Sequence, residues 1–519
     1  MRPDTLLPAP PAAAPAPLSR GRAVAVALLS LAGALAAGHL VAGFVGPVAS
    51  PFVAVGNWVR DLSPHPVTEW AKATFGTFDK TVLFIGVALV ILGCAAAAGL
   101  LSRRDARPGM AVAAALGAVG FLAVLTRPDL GQLGFLAPTA SLLVGVLGFS
   151  WLHKRAGGAT AGETAGTRPD RREFIRLSAG VVVGAGVLGG AGQLLASRVD
   201  VEASRRQVGR LRVDEPAPRL PDGADFPGTS SFITSNRDFY RIDTALTVPR
   251  LTADEWRLKV HGLVDRELEL DFADIRDRRL IERPVTLACV SNEVGGSLVS
   301  TANFIGIPLR DVLNEAGVRP EADQLLSTSV DGFTAGSPVD TVLDPDRGAL
   351  LAIGMNGEPL PVEHGFPARL VVPGLYGYIS ATKWVTELEL TTFAAKQGYW
   401  IPRGWSARAP IKTQSRIDTP GDGDTTGTRL TVAGVAWAPH VGIDKVEVAV
   451  DGEWRPAELG ADVDRDTWRM WRVELDLDPG DHDLAVRATD RDGGTQTDRT
   501  APPAPDGATG WHTISVTAG

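Results

Sequence analysis

Cysteine is nearly absent: Cys94 and Cys289 are the whole complement of a 519-residue chain. Two thiols exclude a disulfide framework. Cys94 falls in the apolar run VLFIGVALVILGCAAAAGLL, so the two are expected to be far apart and unpaired. Charge is also sparse, 21% of residues against 45% hydrophobic, and a formal net charge of −8 argues against nucleic acid as a partner. The apolar runs lack acidic residues, which argues against an ion path, and they lack facing histidine pairs, which argues against haem between helices. Only His39 and His153 lie in or at those runs. No Cys-x-x-Cys-His sequence occurs, so a c-type haem attachment is excluded.

What the chain does have is apolar sequence concentrated in its first 200 residues. Stretches of spanning length predict transmembrane helices near 22–45, 81–101, 110–126, 134–152 and 177–197. They make a membrane domain over 22–198 behind a Pro/Ala-rich, disordered tail over 1–21. Arg20 and Arg22, then Arg103, Arg104 and Arg107, then Lys154, Arg155, Arg168, Arg171, Arg172 and Arg176 fall on one side of such a topology. The alternate loops carry Arg60, Lys72, Lys80 and Arg127, offset by Asp61, Glu69, Asp79 and Asp129. The positive-inside rule then puts the N-terminus inside and the C-terminus outside. The fifth run is preceded by DRREFIRLSAG, which resembles a twin-arginine export signal placed internally as a signal-anchor. That route carries folded proteins, so this stretch predicts a cofactor. Its other reading is an ordinary helix with basic flanks.

Residues 199–228 are charged and Pro-rich and read as a linker. Beyond them the pattern changes to short strands with turn signals. WRLKVHGLV alternates as a half-buried strand, and RPVTLACVS is a nearly continuous apolar strand. IPLRDVLNEAGV is a short helix between Pro308 and Gly317, and Asn356-Gly357 signals a hairpin. Residues 229–405 therefore read as an α+β domain. From 406 to 519 only strands and turns follow, spaced as in an immunoglobulin-like β-sandwich. Trp437, Trp454, Trp468 and Trp471 read as its core and interface aromatics.

Cys289 ends the apolar strand and precedes a polar, Gly-rich turn with Ser291, Asn292, Glu293, Gly295 and Gly296. A lone buried cysteine is usually a small hydrophobe. A thiolate held by a metal is the alternative. VEHGFPARLVVPGLYGYISATKW gathers His364, Arg369 and Lys383 around Gly-rich turns. Arginine suits bidentate phosphate contact, Lys383 adds a point charge, and Ser380, Thr382 and the backbone of 377–381 add donors. As separate residues, Arg369 and Lys383 also read as solvated cations at strand ends.

VTLACVSNEVGG…FIGIPLRDVL, DGFT, MNGEPLPVEHGFPARLVVPGLYGYISATKWV and IKTQSRIDTP…GWH together resemble the sulfite oxidase family of molybdopterin-dependent oxidoreductases. TSNRDFYRIDTAL resembles the cofactor-contacting loop of its bacterial periplasmic subgroup, the methionine sulfoxide reductase catalytic subunit type. The resemblance covers roughly 230–519. It implies a membrane-anchored enzyme with a molybdopterin-binding domain at 229–405 and a dimerisation domain at 406–519. It makes Cys289 the molybdenum ligand of a molybdenum-molybdopterin cofactor. Asn236, Tyr240, Arg241, Thr334, His364, Arg369, Ser380, Thr382 and Lys383 are the further cofactor contacts it implies. It implies oxygen-atom transfer to or from a sulfur-type substrate on the outer face of the plasma membrane, with electrons exchanged with a separate haem or quinone protein. A sulfite dehydrogenase proper and a metal-free extracellular binding module are the alternatives. The eukaryotic members carry Arg-Asn-His on the first loop and basic residues after the cysteine. Here Ser235-Asn236-Arg237 and VSNEVGG stand instead, leaving Arg237 or Arg403 as substitutes for a sulfite-binding cation.

Overall fold

The computed structural model describes residues 17–75, 78–127, 130, 132–157, 171–196 and 200–519. The Pro/Ala-rich tail up to residue 16, Asp129, Arg168 and residue 199 of the expected linker lie outside them. The chain divides into two units, Met1–Val199 and Asp200–Gly519.

The first unit is helical: α1 (Arg20–Val45), α2 (Pro51–Leu62), α3 (His65–Phe75), α4 (Asp79–Leu101), α5 (Arg107–Leu125), α6 (Leu136–Gly157) and α7 (Arg171–Ala196). Five spans, Arg20–Val45, Asp79–Leu101, Arg107–Leu125, Leu133–Gly157 and Arg172–Leu195, are long and apolar enough to cross a membrane. They correspond to the five apolar runs. Small residues set their spacing: a β-carbon at Gly43 would stand 2.6 Å from the carbonyl oxygen of Gly192, so α1 and α7 meet backbone to backbone. The hydroxyl of Ser30 donates to the carbonyl of Gly145 at 2.8 Å, tying α1 to α6. The stretch between the first two spans is helical too, as α2 and α3. Its apolar residues lie on one face, so no long apolar run announces it. Ser50 precedes α2 and Pro51 opens it.

The second unit holds four sheets. Its first part comprises α8 (Val201–Val208), β1 (Arg257–Gly262), β2 (Leu268–Asp271), α9 (Phe272–Arg276), β3 (Ile281–Ala288), β4 (Val299–Pro308), α10 (Leu309–Ala316), β5 (Gln324–Ser329), β6 (Thr334–Pro338), α11 (Val339–Leu343), β7 (Leu350–Met355), β8 (Glu358–Pro359), β9 (Arg369–Val371), α12 (Gly377–Ser380) and β10 (Val385–Thr391). One sheet runs β2-β1-β10-β5-β6, with β1 and β10 parallel; the other runs β3-β4-β7-β8, with β9 against β7. The expected α+β character is observed. β3 is buried from Pro284 to Ala288, as its continuous apolar run requires. Asn356 (φ 52°) and Gly357 (φ 81°) turn β7 into β8, and Gly317 (φ 72°) closes α10.

The reading of 199–228 as a linker is corrected. Asp200 caps α8 by accepting from the amide of Ala203. Arg205 of that helix donates to the carbonyls of Pro359 and Leu360 and pairs with Glu358 at 2.9 Å. Leu211 is buried, against Gly354. Ion pairs and carbonyl contacts hold this segment, and an apolar pattern does not reveal those.

The C-terminal part adds β11 (Gln414–Thr419), β12 (Thr425–Thr426), β13 (Arg429–Trp437), β14 (Ile443–Val450), β15 (Glu453–Pro456), β16 (Glu458–Leu459), β17 (Arg469–Asp476), β18 (Gly480–Asp490) and β19 (His512–Ala518). They form the sheets β11-β13-β17-β16 and β12-β19-β18-β14-β15. One core, including Val432, Val446, Val448, Trp471, Val486 and Ile514, is drawn from both sheets. Trp437, Trp468 and Trp471 are buried as expected. Trp454 instead stacks edge-on with Trp511 at 4.7 Å, half-buried under the Arg487 guanidinium.

In the first part, Trp256 is fully buried and its indole donates to the carbonyl of Val385 at 2.7 Å. Trp256→Ala leaves a large void and an unpaired carbonyl between β1 and β10. It is expected to cost about 3–5 kcal/mol, read as a lowered midpoint in urea unfolding followed by near-ultraviolet circular dichroism.

Candidate active site

Cys289 is the first residue beyond β3. Its amide donates to the carbonyl of Leu298, extending the β3–β4 ladder by one step, and its carbonyl accepts from the amide of Asn292. The loop 289–298 therefore leaves the mouth of a rigid hairpin, with the thiol only 8% exposed. Asn292 is buried as well. Its side-chain oxygen accepts from the amide of Leu298, while its Nδ2 has no partner among the described residues.

Two segments converge on this cysteine. The first is the loop 234–243. Phe239 is buried and meets the His364 ring edge-on at 5.4 Å, which anchors the loop. Next to it, Tyr240 carries its hydroxyl toward the end of β3: a β-carbon on Gly377 would stand 3.8 Å from both the Tyr240 oxygen and the Ala288 carbonyl. Burial and the nearby Cys289 push the Tyr240 phenol far up, so it stays protonated and can donate.

The second is the segment from His364 to Lys383. Arg369 opens β9 and is 3% exposed. Its guanidinium donates to the carbonyls of His364 (3.1 Å) and Ala381 (3.4 Å) and lies 5.5 Å from the Phe304 ring. Among the described residues no carboxylate pairs with it. Burial lowers it to about 10, so it remains a cation near neutral pH. Lys383 reaches Asp243 at 3.2 Å, and Asp243 also accepts from Arg241 at 3.0 Å. Burial, against the pull of Asp243, lowers Lys383 to about 8. His364 donates from Nε2 to the carbonyl of Asn236 at 2.9 Å, since a carbonyl can only accept. Its buried Nδ1 is then a bare acceptor with no partner among the described residues.

The same segment carries Tyr376, buried beside Cys289, with its hydroxyl seated over Gly507. Burial pushes that phenol up to about 12.

Of the residues expected from sequence, Cys289, Tyr240, His364 and Arg369 come together around one point, with Lys383 and Arg241 joined through Asp243. Others take different parts. The Asn236 side chain is occupied with Glu358 (2.6 Å) and Asn356 (2.8 Å), so it fastens the first loop to the β7–β8 turn. Ser380 donates to the carbonyls of Leu375 and Tyr376 within its own turn, and Thr382 pairs with Ser327 at 2.7 Å. The amides of Ile379 and Ala381 bond inside α12, so an anion nest over 377–381 does not form from them. Thr334 begins β6, where its carbonyl accepts from the amide of Tyr399. Arg237 is 90% exposed on Asp238, and Arg403 lies over the Tyr399 ring at 3.7 Å. Sequence reading did not single out Asp243 or Tyr376, and named Asn292 only as part of the turn. Tyr376 lies inside the Gly-rich stretch already chosen; only the fold marks out the other two.

Burial, opposed by the Asn236 carbonyl, pushes His364 down to about 4. Between pH 6.5 and 4 the unfolded chain binds a proton that the folded chain refuses. Stability is therefore full above pH 6.5 and falls as pH drops toward 4, by up to about 3 kcal/mol from this residue. Unfolding measured at pH 7 and pH 4.5 is expected to show a smaller difference in His364→Gln than in the parent.

Residues 245–400 match the family described as oxidoreductase molybdopterin binding domain. Mitochondrial sulfite oxidase of Macaca fascicularis is 30% identical over 324 residues, covering 53% of this chain and 59% of that protein. Nitrate reductase (NADH) 1 of Oryza sativa subsp. japonica is 29% identical over 320 residues, covering 49% of this chain and 34% of that protein. The solved sulfane dehydrogenase SoxCD from Paracoccus pantotrophus aligns with a TM-score of 0.48 and 24% identity, covering 56% of this chain and 82% of that chain. The chain thus spans 59% of the length of the sulfite oxidase it matches.

Proposed function

The chain belongs to the sulfite oxidase family of molybdopterin-dependent oxidoreductases, and on that premise we propose that it is a membrane-anchored oxidoreductase that transfers an oxygen atom to a sulfur-centred substrate. The observation that carries this reading is Arg369, a buried cation with no carboxylate partner among the described residues. Such a charge is costly unless an anion balances it, and a pterin phosphate beside Cys289 and Lys383 is that anion. The unpartnered Nδ1 of His364 and Nδ2 of Asn292 fit the same group, one as an acceptor for a pterin N–H, the other as a donor.

In this reading Cys289 is the thiolate ligand. Arg369 and Lys383 hold the phosphate, Arg241 and Asp243 keep Lys383 in place, and Tyr240 offers a phenolic proton at the edge of the site. Thr334, Ser380 and Thr382 shape the walls through backbone and internal hydroxyl bonds, and Asn236 fixes the first loop. Bound molybdenum would supply two-electron oxygen-atom chemistry at sulfur, with water as the source of the oxygen atom and two protons and two electrons released; the protein fixes the donors. The five apolar spans and their basic flanks support an extracytoplasmic catalytic domain at the plasma membrane, delivered by the twin-arginine-like segment. Electrons then leave through a separate haem or quinone protein. The C-terminal sheets would serve as an immunoglobulin-like dimerisation domain.

Cys289→Ser is expected to lose all turnover with an unchanged circular dichroism spectrum; full activity in that variant overturns the assignment. Substrate direction is tested by assaying sulfite oxidation with a dye acceptor against sulfoxide reduction with a reduced dye, and the first is expected to proceed. Because Lys383 loses its charge as pH rises through about 8, cofactor retention is expected to weaken between pH 7 and 9. Lys383→Arg, which stays charged, is expected to flatten that loss.

A further inference from the structure

The loop 289–298 does not stand on its own hairpin alone. Arg416, at the third position of β11, donates from Nη1 to the carbonyl of Gly296 at 2.9 Å. The same guanidinium donates to the hydroxyl of Ser230 (3.1 Å) and to Asp418 (2.6 Å), and Asp418 in turn accepts from the amide of Ser230. Arg416 and Asp418 are 11% and 9% exposed, so this ion pair is largely shielded from solvent. His512, at the start of β19, accepts from the amide of Ile417 through Nδ1 at 3.0 Å, which fixes its ring. That ring lies directly over Gly295 (φ 75°): a β-carbon there would stand 2.2 Å from Cδ2 of His512. One residue earlier, Val294 packs toward Gly510.

We infer that Arg416 and His512 are positioning residues that clamp the backbone of the Cys289 loop from the C-terminal sheets. This deepens the proposed function, in which Cys289 is the metal ligand. One residue bonds the last carbonyl of the turn, the other covers a glycine that only a side-chain-free residue could occupy. Together they leave the loop one conformation, with the thiol end held by Leu298 and the far end held by the clamp. The C-terminal sheets are thereby part of the site's construction, whatever else they bind.

The test uses the full chain in detergent, prepared without cofactor in a Cys94→Ser background, where Cys289 is the sole thiol. The readout is the rate of maleimide labelling. Arg416→Met and His512→Ala are each expected to raise that rate about tenfold, the mark of local opening, with little change in melting temperature. Arg416→Lys, which can still reach one acceptor, is expected to recover part of the protection. Parental labelling rates in both variants overturn the inference, and His512→Ala decides if Arg416→Met fails to fold. Cofactor-loaded Cys289→Ser separates the two claims. If it keeps full activity while the clamp variants label faster, the ligand assignment fails and the clamp stands. If it loses turnover while the labelling of the clamp variants is unmoved, the clamp fails and the ligand assignment stands.

Discussion

A guanidinium removed from water without a carboxylate is an arrangement a protein keeps only when something else supplies the negative charge. Arg369 is in that position. Its placement follows from its strand: β9 is three residues long and pairs with β7, and Arg369 sits opposite Ala352, at the edge where the chain enters the core. The carbonyls of His364 and Ala381 orient the fork without neutralising it. Much of the surrounding arrangement answers to this charge. Among the described residues no carboxylate pairs with it, Lys383 is given its own carboxylate in Asp243, and His364 remains neutral.

The site is assembled from chain segments that are distant in sequence. The loop before β1 contributes Tyr240, the β3–β4 hairpin contributes Cys289, and the turns around β9 and α12 contribute His364, Arg369 and Lys383. Each is held by a different device. Phe239 wedges the first loop, the antiparallel ladder fixes the second, and the Trp384 indole, donating to the carbonyl of Val362, ties the third back on itself. The C-terminal sheets join in twice over: Thr286 of β3 exchanges bonds with Asp466 and Trp468, and Arg416 and His512 bear on the turn beyond the cysteine. A domain whose strand pattern resembles that of a separate module is in this way fastened to the strand that carries the thiol.

Much of this was legible in the chain itself. The five apolar runs, the continuous strand before Cys289, the Asn-Gly turn and the helix between Pro308 and Gly317 follow from local pattern and backbone preference, which act over neighbouring residues and survive into the fold. The cluster of His364, Arg369 and Lys383 was legible because it is compressed into twenty residues. Helices α2 and α8 were not, because their stability comes from one-sided packing or from pairs such as Arg205 with Glu358, whose partners are far along the chain.

Residue type and spacing alone determined that one thiol follows a buried strand and that cations gather in one Gly-rich stretch. Only the tertiary structure decided which of them remain available. Ser380 and Thr382, chosen as donors, spend their hydroxyls on near neighbours, and Asn236 spends its amide on Glu358 and Asn356. Among the described residues the Nδ2 of Asn292 and the Nδ1 of His364 have no partner, and Arg369 has no counter-charge. Whether a polar group is satisfied depends on everything packed around it, and that information does not exist until distant segments have met.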